Sequence, residues 1–161
     1  MTLPATLPMI ERRQIEAEIL REVYRAAVEK VGADTAKAII GDAVRTSSIA
    51  QAKHFAAQEP DGTSLATFVG IQKHWTADNA LEIQPERSDA THFEFRVTRC
   101  RYAEMYKEMG VGDIGHLLSC NRDGTFCEGY DPKLKLTRTQ TIMGGASHCD
   151  FKFRYETDPN P

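Results

Sequence analysis

The sequence has no C-x-x-C pair, no H-x-x-x-H pair, no basic run and no uninterrupted apolar stretch near its start. Without a C-x-x-C the usual signature of structural zinc is missing. With 20 Lys and Arg against 23 Asp and Glu, a net charge of -3 and no cationic stripe, nucleic acid is not an expected partner. Glu11, Arg12 and Arg13 fall where the core of a signal peptide would have to be, so no membrane segment and a cytoplasmic location are expected. Repeats and low-complexity tracts are absent too. What remains is a 161-residue chain, 41% hydrophobic, able to bury a core as one domain over residues 1–161, with a loose tail at 157–161. It has four cysteines, Cys100, Cys120, Cys127 and Cys149, all towards the C-terminus. In a reducing compartment such thiols serve as buried packing, metal ligands or nucleophiles more often than as disulfides.

The hydrophobic period divides the chain. Ile15, Ile19, Val23 and Ala27 recur at steps of four, widened by Leu20, Tyr24 and Val28, which predicts an amphipathic helix over 8–30 ended by Gly32. Its wide apolar stripe can pack on the domain or on a second copy in a homo-oligomer. Asp34 caps a second helix, which continues through "SSIAQAKHFAAQ" after a break near Thr46 to Ser48. After the turn "EPDGTS", Thr63 or Ser64 caps a third helix carrying Leu65, Phe68, Ile71 and Trp75. The period then changes to two. Leu81 and Ile83, then Phe93, Phe95 and Val97, predict a hairpin joined around "PERSDA". "CRYAEMYKEMG" and "GDIGHLLSC", the latter capped by Asp113, read as short helices, and two more strands follow at about 133–142 and 148–156. The expected fold is α+β: a helical N-terminal half packed on an antiparallel sheet of about four strands, with two inserted helices.

Strand phase singles out two residues. Leu134, Leu136, Arg138 and Gln140 share one face, so Arg138 points where leucines point. A guanidinium cannot be neutralised in a protein, and it needs a carboxylate either from a helix Asp or Glu or from a ligand. Cys149 shares a face with Phe151, Phe153 and Tyr155, behind Gly144 and Gly145, which form a turn or admit a ligand close to the backbone. His116 and Cys120 stand four residues apart, a spacing at which an imidazole can take the thiol proton, and Asp123 follows as a turn residue or an acid/base carboxylate. Cys100 sits at a strand-to-helix junction, where amides aimed at a thiol depress its pKa, with Tyr102 and Glu104 close behind. Cys100, Cys120 and Cys149 can therefore converge on one pocket as nucleophiles, or as zinc ligands with a histidine or carboxylate as fourth. Cys127 has no comparable placement. His54, His74 and His92 read as surface or core filler.

The stretches "VTRCRYAEMYKEMG" and "IGHLLSCNRDGTFCEGYDPKLKLTRTQTIMGGASHCDFKFR" resemble the L-2-amino-thiazoline-4-carboxylic acid hydrolase family over roughly residues 90–156. The family's R-C junction, C-x-x-D, G-[FY]-x-P, R-T-x-T and G-x-x-x-C-[DE]-F patterns are matched by Arg99-Cys100, Cys120 to Asp123, Gly129 to Pro132, Arg138 to Thr141 and Gly145 to Phe151. The resemblance implies hydrolytic opening of a small heterocycle at a cyclic amidine-like or amide C–N bond, with 2-aminothiazoline-4-carboxylate as the name-giving substrate. It gives Arg138 a role, since a substrate carboxylate would supply its anion. Tyr102, Glu104, Thr139, Thr141 and Gly145 join Arg138 as expected substrate contacts, and Cys100, Cys120, Cys149, His116 and Asp123 form the expected catalytic set. Two mechanisms suit these residues: thiolate attack with His116 or Asp123 moving the proton and no cofactor, or a zinc-bound hydroxide held by the thiols. The missing metal spacings favour the first. The alternative class is a small-molecule sensor of the vinyl-reductase type with structural zinc. Such a sensor normally carries an output domain, which favours the enzyme, and inward cysteines and an inward arginine argue against a passive adaptor.

Overall fold

The structure, a computed structural model, describes residues 7–157. Of the expected loose tail, all but Thr157 lies outside the described residues. The fold is α+β. Helices α1 (Met9–Val31) and α2 (Ala33–Ala56) form an antiparallel hairpin hinged at Gly32, whose φ of 84° suits a residue without a Cβ. Short helices α3 (Leu65–Ile71) and α4 (Lys73–Thr76) lead to the hairpin β1 (Leu81–Ser88) and β2 (His92–Cys100). Helix α5 (Arg101–Glu108), a π turn (His116–Cys120) and α6 (Asn121–Tyr130) precede β3 (Leu134–Thr137) and β4 (Cys149–Tyr155). The sheet is antiparallel in the order β1-β2-β4-β3. Among the described residues no helix is long and apolar enough to cross a membrane.

Register decides which side chains face the helices. Phe95 pairs with Phe151 and Val97 with Cys149, and directly opposed residues share a sheet face. Cys149 is therefore buried at the start of β4, beside Val97. The edge strand β1 tolerates Pro85, which donates nothing to a ladder, and its bulges flank that residue. Two buried clusters result. One fills the space between the sheet and α2, α3 and α6 around Phe68, Phe95, Phe126 and Phe153. The other joins α1, α2, α5 and the segment before the π turn around Ile10, Ile40, Tyr106 and Ile114. Leu81 and Cys100 touch both.

Several expectations change. The helix α2 runs unbroken through 46–48, because the Ser48 hydroxyl donates to the Arg122 carbonyl (3.1 Å) and so needs no local backbone partner. The capping box falls on Ser64, with Thr67 as its reciprocal partner. The β1–β2 turn is shorter than "PERSDA", closing at Asp89, whose carboxylate takes the N–H groups of Thr91 and His92. The strand read at 133–142 stops at Thr137. Beyond it the Asp150 carboxylate accepts the Thr139 and Gln140 amides (both 2.9 Å), replacing the ladder with side-chain bonds. The α1 stripe is also displaced. Ile15 and Ile19 are 59% and 64% exposed, and the inward face is Ile10, Arg13 and Ala17 with the half-buried Leu20 and Tyr24.

Candidate functional site

A cavity of about 70 Å³ opens where the two clusters meet. Cys100 reaches it from the end of β2, Cys120 from the π turn and Cys149 from the first residue of β4. Asp123 and Arg138 also line it, on walls completed by Trp75, Leu81 and Phe151. A second cavity of about 50 Å³ shares Asp123, Trp75, Leu81 and Phe151 and extends beneath the sheet. Cys120 and Arg138 belong in addition to a wider groove of about 580 Å³ between α6 and β3, and Cys100 and Met143 to one of about 260 Å³ on the other side. Cys100 and Cys120 thus stand in walls between the interior and open surface, whereas Cys149 lines the inner cavity.

All four cysteines are free thiols. Burial pushes Cys100 up to about 11, against the downward pull of the Ala103 and Tyr102 amides, so the expected depression at the helix start is reversed by desolvation. Burial also takes Cys120 up to about 12, with the Asp123 charge adding to it and Arg138 opposing. Cys149 is raised by burial as well, but its sulfur accepts the Ile142 N–H at 3.2 Å and the Arg138 guanidinium favours its anion. It alone of the three combines an amide and a cation on the side of the thiolate. Cys127 points elsewhere, donating to the Asp123 carbonyl at 3.3 Å, and burial takes it to about 12.

The arginine on the leucine face has found a carboxylate inside the protein. Its Nη1 donates to Asp123 Oδ2 at 2.6 Å and its Nη2 to the Cys120 carbonyl at 3.0 Å, while the guanidinium lies 4.9 Å from the centre of the Phe151 ring. Asp123 sits in the first turn of α6, a helix unforeseen in "CNRDG" because Gly124 reads as a turn signal. Burial holds the Asp123 carboxyl above the ordinary aspartate range, against the pull of Arg138, Arg13 and Arg122. Arg138 is therefore a clamp on Asp123 and on the π turn, and its need for an anion is met without substrate.

The other expected residues divide. Tyr102 lines the cavity and donates its hydroxyl to the Trp75 carbonyl at 3.0 Å. His116 is exposed at the start of the π turn that ends at Cys120, and it does not line the cavity that Cys120 reaches. Glu104 is exposed and pairs with Arg99 at 2.9 Å. Thr139 donates to Asp150 and the Thr141 oxygen accepts the Gly144 amide, so both hydroxyls serve the 138–148 loop. Gly145, at φ 100°, closes that loop's turn. Among the described residues no group of three or more His, Cys, Asp or Glu is arranged to hold a metal ion.

Sequence reading missed two cavity-lining arginines, Arg13 of α1 and Arg122 of α6, buried to 3% and 6% exposure. The signal was present. Leu118, Arg122, Phe126 and Tyr130 follow one another at steps of four, and Arg13 stands between Ile10 and Ala17.

Solved structures share the fold, two of them as follows. The phenol-responsive sensory domain of the transcription activator PoxR, with phenol, is 13% identical over 89% of this chain and 74% of that one, with a TM-score of 0.53. A trafficking protein particle complex subunit 3 from Naegleria fowleri, covalently bound to palmitic acid, is 8% identical over 89% of this chain and 97% of that one, with a TM-score of 0.50. No curated protein matches the chain in sequence. The family model of L-2-amino-thiazoline-4-carboxylic acid hydrolase matches residues 12–153, from α1 and its Arg13 through β4, and the chain belongs to that family.

Proposed function

We propose that the protein hydrolyses a ring C–N bond of a small carboxylated heterocycle, of which 2-aminothiazoline-4-carboxylate is the first candidate, with Cys149 as nucleophile and Asp123 as its base. The observation that carries this reading is the convergence of three thiols from three separate elements on a cavity that Asp123 also lines, clamped by Arg138. Raised thiol pKa values mean that little thiolate exists beforehand, so the proton must leave as the sulfur attacks. Asp123 accepts it while the Sγ–C bond forms at the C=N carbon. The ring C–N bond then breaks, with one proton passing from Asp123 to the departing nitrogen and a second from the exocyclic amino group, which becomes the C=NH of the adduct. Water adds to the same carbon, its oxygen becomes the carbonyl of the product, and the thiol leaves with a proton restored. The net change is substrate plus one water.

The test is turnover of 2-aminothiazoline-4-carboxylate by the reduced protein and by Cys100→Ala, Cys120→Ala, Cys149→Ala and Asp123→Asn. Loss of about 10²- to 10⁴-fold in kcat is expected for Cys149→Ala and Asp123→Asn. Retained turnover in all three cysteine variants would sink every thiol mechanism. A second reading, a binding domain without turnover, draws on the fold shared with a phenol-responsive sensory domain and on thiols protonated at neutral pH. Tight binding of the compound with no product formed would favour it.

A further inference from the structure

We infer that Arg13 and Arg122 form an anion subsite at the inner end of the cavity, which takes the carboxylate of a small heterocyclic acid. This inference rests on the proposed reading for the identity of the acid, but its physical basis is independent. Arg13 comes from α1 and Arg122 from α6, and a single carboxylate, Glu16, serves both. Arg13 Nη1 donates to Glu16 Oε1 and Oε2 at 3.0 and 2.9 Å, and Arg122 Nη2 donates to Oε2 at 3.2 Å. The remaining bonds go to neutral oxygens: Arg13 Nη2 to Gln51 Oε1 at 3.0 Å and Arg122 Nε to the Leu118 carbonyl at 2.8 Å. Arg122 Nη1 makes no hydrogen bond to the described residues, and since no buried side-chain N or O lacks a partner, it is open to solvent in an arginine that lines both cavities.

Charge is out of balance at this place. Arg13, Arg122 and Arg138 bring three cations, and Glu16 and Asp123 bring two anions. Arg12, 3.9 Å from Glu16, adds to the excess. Tyr102 and Tyr106, which also face the cluster, are held in their neutral forms by burial. Burial together with the neighbouring Arg13 brings Arg122 down to about 10, which reflects cations under-compensated away from water. A bound carboxylate would restore the balance and receive the free Arg122 donor in a charge-assisted bond. A small ring carrying it would then rest against Trp75, Leu81 and Phe151, within the walls that hold Cys149 and Asp123.

Two compounds that cannot be opened hydrolytically test this: 2-aminothiazole-4-carboxylate and 2-aminothiazole, titrated calorimetrically into the reduced protein. A preference of at least about tenfold for the acid is expected in the unmodified chain, abolished in Arg122→Gln and Arg13→Gln and partly kept in Arg122→Lys. No preference in the unmodified chain overturns the subsite without recourse to any variant. A preference that survives in both glutamine variants, shown folded by circular dichroism, overturns it as well. Parallel turnover assays separate the two claims. Hydrolysis with the acid preference unmoved by the variants leaves the hydrolase and removes the subsite, whereas no hydrolysis with the preference lost in the variants does the reverse.

Discussion

Raising the pH from about 8 to about 10 should cost the folded protein roughly 4 kcal/mol, through thiols that the fold keeps protonated. Cys100 titrates at about 11 and Cys120 and Cys127 at about 12, against an ordinary value of 9.0. Between 9.0 and those values the unfolded chain has released protons that the folded chain still holds, so stability falls as pH rises. Each tenfold difference in protonation is worth about 1.4 kcal/mol, and one unit above the ordinary value each of the three thiols contributes about that much. The total is a large share of the 5–15 kcal/mol typical of a domain. Urea unfolding of the reduced protein, followed through Trp75 fluorescence at several pH values, measures the slope. Cys127→Ala should remove about a third of it, since that thiol lies in the core away from the cavity. A flat stability between about pH 8 and 10, or thiolate absorbance already present near pH 8, would refute the reasoning and the raised thiols with it.

Two further substitutions test the packing that positions the site. A Cβ at Gly129 would stand 2.5 Å from the Ile49 carbonyl oxygen and 2.9 Å from the Ala52 Cβ, where α6 crosses α2, so Gly129→Ala should destabilise by about 1–3 kcal/mol in urea unfolding, the range for overpacking. At Gly115 the nearest atom is the Met143 sulfur at 2.6 Å, the end of a flexible side chain that also lines the cavity. Gly115→Ala should therefore cost less stability than Gly129→Ala, yet shift KM for a cavity ligand, which steady-state kinetics would read.

The sheet was legible because its inner faces alternate strictly, as in Phe93, Phe95 and Val97 against Phe151 and Phe153. Arg138 and Cys149 could be placed near each other for the same reason. What sequence period could not supply was the competition between alternatives of similar phase. Helix α1 offers two apolar stripes, and the one with Ile15 and Ile19 faces solvent while the one interrupted by Arg13 faces inward, where Glu16 and Gln51 hydrogen-bond the guanidinium. Helix α6 was hidden by Gly124, a residue that α-helices tolerate at a cost of about 1 kcal/mol when packing offsets it. With α6 unseen, Arg122 stayed invisible and Asp123 looked like a turn. His116 shares the π turn with Cys120 but is exposed and outside the cavity, which spacing along the chain could not show.

The pH dependence of turnover distinguishes a thiol that attacks as its proton leaves from one that is ionised beforehand. If Asp123 is the base, kcat/KM should rise with pH as its carboxyl deprotonates, and burial places that limb above the ordinary aspartate value of 3.8. Beyond it the profile should be level through neutrality, because burial raises the Cys149 thiol above its ordinary value, as it does Cys100 and Cys120, so little thiolate forms there. A preformed nucleophile would instead give activity climbing tenfold per pH unit across the neutral range, with no acid limb of its own. Arg138 makes the comparison sharper. Its bond at 2.6 Å to Asp123 lowers the carboxyl pKa and its charge favours the Cys149 thiolate, so Arg138→Met should move the acid limb to higher pH while reducing the maximum. An acid limb that stays in place in Arg138→Met, or that persists in Asp123→Asn, would assign the base to another group.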